Sequence, residues 1–350
     1  MKVFADQARQ SQHYPSGFLV NGLMQPNPEK PERLARLLSG VTAGRHDLRA
    51  PADHGLAPVA AVHTPRYLKF LSTIYPRWQR IQDATPDVFP NIHPDRRTAS
   101  YPLSAVGQAG FHVADMSCPI GEHTWGAARW SANCAVSAAQ TVLAGDPVAY
   151  AMCRPPGHHC FTDLAGGFCY LNNSAIAAQY LRKKHDRVAI IDVDLHHGNG
   201  TQGIFYGRAD VFTLSIHADP ARFYPFFWGH AHEIGEGAGH GYNLNIPLPR
   251  GTGDEGFIQG LADGIAQVRS FAPGAVVIAL GLDAFDGDPF GGLSVSTPGF
   301  ARIADMLAAL KLPTVIVQEG GYLCDELGDN LESFLDGFED RKSATWHYEA

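Results

Sequence analysis

The sequence predicts an α/β fold, an open and mostly parallel sheet flanked by helices, and three observations predict it. Short apolar runs lack the alternation of half-exposed strands, as strands covered on both faces do. Helix-like segments alternate with those runs along the chain. Polar or glycine-rich segments follow the runs at their C-terminal ends, where open α/β sheets carry their ligand sites.

Taken in order, an alanine-rich helix over residues 127–143 leads into the first run, 148–152. A second alanine-rich helix over 172–181 precedes the run 188–191, and the run 211–216 follows. Helical apolar spacing over 256–271 precedes the run 275–280, and over 298–310 it precedes 314–317. No repeat or low-complexity linker divides the chain, so residues 1–350 are expected to form a single domain. Residues 75–100 stand apart as an inserted loop. Pro76, Pro86, Pro90 and Pro94 sit there with Trp78 and Phe89 among charges, in a stretch long for a passive connection.

Composition narrows the function. With 45% hydrophobic and 18% charged residues, the 350-residue chain has enough apolar material for a substantial core. A net charge of −8 excludes the basic footprint of nucleic-acid binding and suits a cationic substrate. Cys118, Cys134, Cys153, Cys160, Cys169 and Cys324 form no CxxC pair and read as reduced thiols. The start of the chain shows no basic region running into a long apolar stretch, and runs such as 275–280 are too short to span a bilayer. A cytoplasmic protein without a membrane partner is expected.

The chemistry concentrates after the runs. Following 188–191 come Asp192, Asp194 and His196, which the period of a strand would put on one face. Burying three ionisable groups together is costly unless a cation compensates them. Asp283, after the run 275–280, adds a third ligand to Asp194 and His196. Three protein ligands with an open position make the pattern of catalytic zinc, whereas structural zinc has four, mostly cysteine. Water in the open position becomes a nucleophile near neutral pH. His158 and His159, held by Pro155, Pro156 and Gly157, suit general acid–base work, with Asp192 as the carboxylate that orients an imidazole. Tyr322 follows Gly320 and Gly321, so its hydroxyl is a candidate donor to an oxyanion. Gly166, Gly167 and Phe168, with Phe223 and Tyr224, are candidates for an aromatic-walled channel, although each taken alone is more often core packing. His230, His232 and His240 read as solvated loop residues, and His197 and His217 as satisfied buried imidazoles.

Together these residues resemble the zinc-dependent histone deacetylase superfamily, including its bacterial acetylpolyamine amidohydrolase branch. The likeness rests on RPPGHH at 154–159, GGFCYLNN at 166–173, DVDLHHGNGT at 192–201, LGLDAF at 280–285 and EGGY at 319–322. It implies an arginase-like α/β fold, with zinc or ferrous iron held by Asp194, His196 and Asp283. It implies His159 as general base and then acid, His158 paired to Asp192 as its electrostatic partner, and Tyr322 polarising the amide carbonyl. A channel lined by Gly167, Phe168 and Tyr224 is implied as well. So is a structural potassium or sodium ion near Asp192, Asp194, His196, Ser215 and the carbonyl of Ile216. A second such site would use carbonyls near Phe205, Arg208, Val211 and Tyr242.

The branch is read from finer letters. Asn199 stands where many eukaryotic members carry Asp, and the polyamine branch resembles this chain there. The 75–100 segment resembles the insertion through which that branch forms homodimers. The acidic positions that help that branch select cations align here with Val106 and Ser117, leaving Asp115 or Glu122 as substitutes. The expectation is a small acetylated amine as substrate. The alternative is an acetyl-lysine deacetylase acting on peptides or flexible protein segments.

Overall fold

Five of the expected strands form the middle of one sheet. The computed structural model describes residues 1–95 and 100–346. In chain order its elements are β1 (Lys2–Phe4), α1 (Gln7–Gln10), β2 (Gly17–Val20), β3 (Leu23–Pro26), α2 (Glu32–Ala43), β4 (Asp47–Arg49), α3 (Ala57–Ala60), α4 (Pro65–Trp78) and α5 (Ala105–His112). There follow α6 (Thr124–Leu143), β5 (Val148–Ala151), α7 (Asn173–Leu181), β6 (Val188–Asp192), α8 (Asn199–Phe205) and β7 (Val211–Ala218). The last are β8 (Asn243–Leu248), α9 (Asp254–Phe271), β9 (Ala275–Leu280), α10 (Thr297–Ala308), β10 (Thr314–Gln318) and α11 (Leu327–Trp346).

The eight-stranded sheet runs β4-β1-β5-β10-β9-β6-β7-β8, with every neighbouring pair parallel. Each central strand is buried along its whole length, which is why these strands read as unbroken apolar runs. Alternate residues serve opposite faces. Val188 and Ile190 pack with α4, α6 and α7, whereas Ala189 and Ile191 pack with α2, α9, α10 and α11. Fully burying each Val, Ile or Phe here stabilises the fold by about 1.5–3 kcal/mol, so the site's supports are anchored in the best-packed part of the molecule.

The topology then makes the crevice. From β5 the chain passes outward through β6, β7 and β8, and returns to insert β9 and β10 between β6 and β5. The C-terminal ends of β5, β10, β9 and β6 therefore stand side by side, and each is followed by one of the chemical motifs.

Three outer strands, β1 and the edge strands β4 and β8, escaped the sequence reading because the first two span only Lys2–Phe4 and Asp47–Arg49, and β8 contains Pro247. The inserted segment also needs correction. Residues 75–78 are the last turn of α4, which carries Pro76 inside it. Beyond it, Trp78 Nε1 donates to Thr85 O at 3.1 Å and Val88 bridges Ile120, so this part is pinned to the body. Arg96, Arg97, Thr98 and Ala99 of that segment lie outside the described residues. Among the described residues, no helix is long and apolar enough to cross a membrane.

Candidate active site

The strand-face argument fails beyond Asp192, because β6 ends there and Asp194 and His196 lie in the bend that follows. Backbone bonds, not the pleat, aim their side chains. Asp194 Oδ1 accepts from His196 N at 2.8 Å and its Oδ2 from Gly320 N at 2.8 Å. Asp283 Oδ1 accepts from Leu195 N at 3.1 Å. His196 Nδ1 consequently lies 3.1 Å from Asp283 Oδ2 and 3.4 Å from Asp194 Oδ1. One ligand atom from each of the three residues lies within 4.8 Å of the others, and all three are buried. Gly320 is required for this approach, since a Cβ there would stand 2.3 Å from Asp283 Oδ2 and 2.6 Å from Asp194 Oδ2.

No lysine or arginine of the described residues pairs with either carboxylate; their ion-pair partners are His158 and His196. Burial opposes a charge on His196, yet Asp194 and Asp283 push it up to about 9. Asp283 is raised by burial and by the Asp194 charge. Two buried carboxylates and an imidazole without a fixed cation fit a divalent metal with oxygen and nitrogen ligands.

The histidine pair enters from β5. Glu319, at the end of β10, accepts from Gly157 N at 2.6 Å and His158 N at 3.0 Å, while Ser174 Oγ donates to its other oxygen at 2.7 Å. His158 Nδ1 lies 2.9 Å from Asp192 Oδ2, and His159 Nδ1 lies 2.7 Å from Asn199 Oδ1. Their rings are 4.0 Å apart. Burial lowers both, but Asp194 and Asp192 overcome it at His158 and push it up to about 10. His159 has no carboxylate partner. Burial, then the charges of His158 and His196, hold it well below the ordinary histidine value. The two adjacent imidazoles are thus shifted in opposite directions.

Tyr322 is buried beside the trio, with Phe290 at 4.6 Å and Phe168 at 5.9 Å from its ring and the Arg33 guanidinium 4.7 Å over it. Burial raises its hydroxyl well above the ordinary tyrosine value. Opposite, the Tyr224 ring stands perpendicular to His159 at 5.0 Å, and Phe223 stacks on His196 at 5.1 Å. Gly167 has φ +51°, and a Cβ there would reach 2.4 Å from the His159 ring. Gly167, Phe168 and Tyr224 are therefore brought together around the histidine and Tyr322.

Asp115, one of the two suggested acidic substitutes, touches this wall. Its carboxylate accepts from Tyr224 Oη at 2.7 Å, Ser117 N at 2.9 Å and Gly167 N at 3.2 Å. No cation pairs with it among the described residues, and burial raises its pKa. Glu122 is exposed and has no such contact.

The first monovalent-ion set is partly assembled. Asp192 and Ser215 are register partners across β6 and β7, and Ile216 follows. A cavity of about 10 Å³ is lined by Asp192, Ser215, His197, Thr213, Asn243 and Asn245, room for about one water-sized group. Among the described residues, buried His197 Nδ1 and Asn245 Oδ1 have no hydrogen-bond partner, and His197 bonds Gln202 through its ring, so it is satisfied at one nitrogen only. His217 is satisfied, by Ser215 Oγ at 2.8 Å and Gly229 O at 2.9 Å. In the second set, the carbonyls of Phe205 and Tyr242 each already accept one bond, from Arg208 N and Thr213 N, while Val211 opens β7.

The sequence reading missed the struts behind the site. Arg154 is buried against Glu29 and donates to the carbonyls of Gln10, His13 and Glu29. Arg33 pairs with the same Glu29 at 2.7 Å and donates to the carbonyls of Glu319 and Gly321. Glu29 lies ahead of α2, which starts at Glu32, so no helical spacing marks its pairing with Arg33 or Arg154.

A histone deacetylase domain matches residues 27–338. The chain belongs to the histone deacetylase family. It is 48% identical to an acetylpolyamine amidohydrolase of Burkholderia pseudomallei over 94% of this chain and 96% of that one. It is 40% identical to acetylpolyamine amidohydrolase 2 of Pseudomonas aeruginosa over 97% and 98% of the two chains. A crystal structure of acetylpolyamine aminohydrolase from Burkholderia pseudomallei superposes with a TM-score of 0.95 at 47% identity, covering 97% of this chain and 99% of that one. The protein is an enzyme, a hydrolase of a metal-dependent deacetylase family, and its sheet and helices are the fold of that family.

Proposed function

We propose that this chain hydrolyses the acetyl amide of a small acetylated polyamine, with a divalent metal, zinc or ferrous iron, held by Asp194, His196 and Asp283. The observation that carries this reading is the buried convergence of those three side chains beside the His158–His159 pair and Tyr322. When bound, the metal supplies Lewis acidity at the acetyl carbonyl and acidifies water. The chain's residues do the rest. Asn199 Oδ1 holds the Nδ1 proton of His159, which leaves Nε2 to take a proton and later return it to the leaving amine. His158, kept charged by Asp192, stabilises negative charge developing next to it. The Tyr322 hydroxyl, protonated at any working pH, donates to the carbonyl oxygen as it becomes an oxyanion.

A small cationic substrate is supported by the names of the relatives and by Asp115, an ionisable group on the channel wall with hydrogen-bond donors but no ion-pair partner among the described residues. A bound potassium or sodium ion beside Asp192 and Ser215 is supported by the small polar cavity there. A homodimer through the 75–100 segment is supported by Ile92 and Leu103, 63% and 92% exposed, at and just beyond it. A single-domain, cytoplasmic protein fits the continuous sheet and the unpaired cysteines.

The test is a comparison of kcat/KM over acetylputrescine, acetylcadaverine, acetylspermidine and an acetyl-lysine peptide. The free amines are expected to be turned over faster. A peptide faster than every amine would establish the peptide deacetylase reading, which the neutral Val106 and Ser117 favour.

A further inference from the structure

We infer that Asp288 is the positioning residue for Tyr322: one buried carboxylate holds the backbone of that tyrosine and of the aromatic residue that braces its ring. The inference rests on the proposed role of Tyr322.

Asp288 lies in the loop that leaves β9 after Asp283 and is 5% exposed. Its Oδ2 accepts from Tyr322 N at 2.8 Å and its Oδ1 from Phe290 N at 2.9 Å. The Phe290 ring meets the Tyr322 ring edge-on at 4.6 Å and the His196 ring at 5.3 Å. The same carboxylate therefore ties the loop after β9 to the loop after β10 at the point where their aromatic side chains touch. The backbone needs such a tie, because Gly321, immediately before Tyr322, sits at φ +108° and imposes little of its own. Without Asp288 the buried Tyr322 N–H would lose its acceptor.

The residue type matters. Two backbone N–H groups need two acceptor oxygens, which a carboxylate has. Asparagine has one oxygen, and its NH₂ would face the second N–H. No cation pairs with Asp288 among the described residues, so the two N–H groups are its recorded polar support besides its own backbone bonds. A displacement of about 1 Å in a group of this kind costs on the order of 10²-fold in rate. Asp288 itself does not touch the reacting atoms; it acts through the place it gives the Tyr322 hydroxyl.

The experiment is a double-mutant cycle on acetylputrescine turnover with wild type, Asp288→Asn, Tyr322→Phe and the double variant, each checked for bound metal and thermal melting. Asp288→Asn is expected to lower kcat about 10-fold or more with KM within about threefold. In the Tyr322→Phe background it should change kcat by less than about twofold, because the hydroxyl it positions is gone. Equal fold losses in both backgrounds would overturn the inference, as would no loss in either. Near-normal turnover by Tyr322→Phe overturns the role of Tyr322 and this inference with it. A crippled Tyr322→Phe with an additive Asp288→Asn overturns the inference alone. Should Asp288→Asn fail to fold, Phe290→Leu keeps the carboxylate and removes the ring, and the same non-additivity is expected; additive losses there overturn the inference.

Discussion

At the floor of the site, Asp194, His196, Asp283, His158 and His159 are all buried, and backbone N–H groups hold both aspartates of the trio and the loop that carries the histidines. At the mouth, Tyr224 is followed by Phe226 and Phe227, 50% and 82% exposed, and Asp115 has donors but no ion-pair partner among the described residues. Both regions carry aromatic rings and carboxylates, yet the first is fixed by well-packed strand ends and the second hangs on loops. Chemistry that depends on placement within an ångström belongs on the first. Selection among related amines belongs on the second.

The largest break in that division would come from the trio. Asp194→Asn should abolish both bound metal and measurable turnover, checked by elemental analysis and an acetate-release assay; retained metal would remove Asp194 from the ligand set. Tyr322→Phe comes next, with a kcat loss of about 10²–10³-fold expected for a single oxyanion donor. Glu319→Ala takes away the oxygen to which the Gly157 and His158 N–H groups both donate, and should cost about 1–3 kcal/mol in thermal or denaturant unfolding. The last effect is confined to a pH window. His63, behind the floor, accepts from Asn172 N at 2.9 Å, and burial pushes it down to about 4. The unfolded chain binds its proton near pH 6.5, so the stability that His63 contributes should fall as pH drops from about 6.5 to 4, alongside that of His217. His63→Gln should flatten that stretch of the stability profile.

The floor was legible because ionisable residues at the ends of apolar runs are expensive to bury, so Asp194, His196 and Asp283 announced themselves. The strand-face argument that grouped Asp192 with them failed, because β6 stops at Asp192, which bonds His158, while Asp194 and His196 lie in the bend beyond it. The long-range ties were illegible: nothing local marks Asp288 as the acceptor for Tyr322 N or Glu319 as the acceptor for Gly157 N. Asp115 and Glu122 could not be separated either, since a lone acidic residue in a loop gives no sign of where it faces. Strands as short as Lys2–Phe4 carry too little period to read.

The separation of floor from mouth is tested most directly by charge preference. The ratio of kcat/KM for acetylputrescine to that for N-butylacetamide, its neutral counterpart, is measured for wild type and Asp115→Asn. A charge-assisted contact at Asp115 predicts a wild-type ratio of about 10 or more, falling close to unity in the variant. A ratio that stays the same in both proteins would contradict the account and move the recognition of the amine away from Asp115.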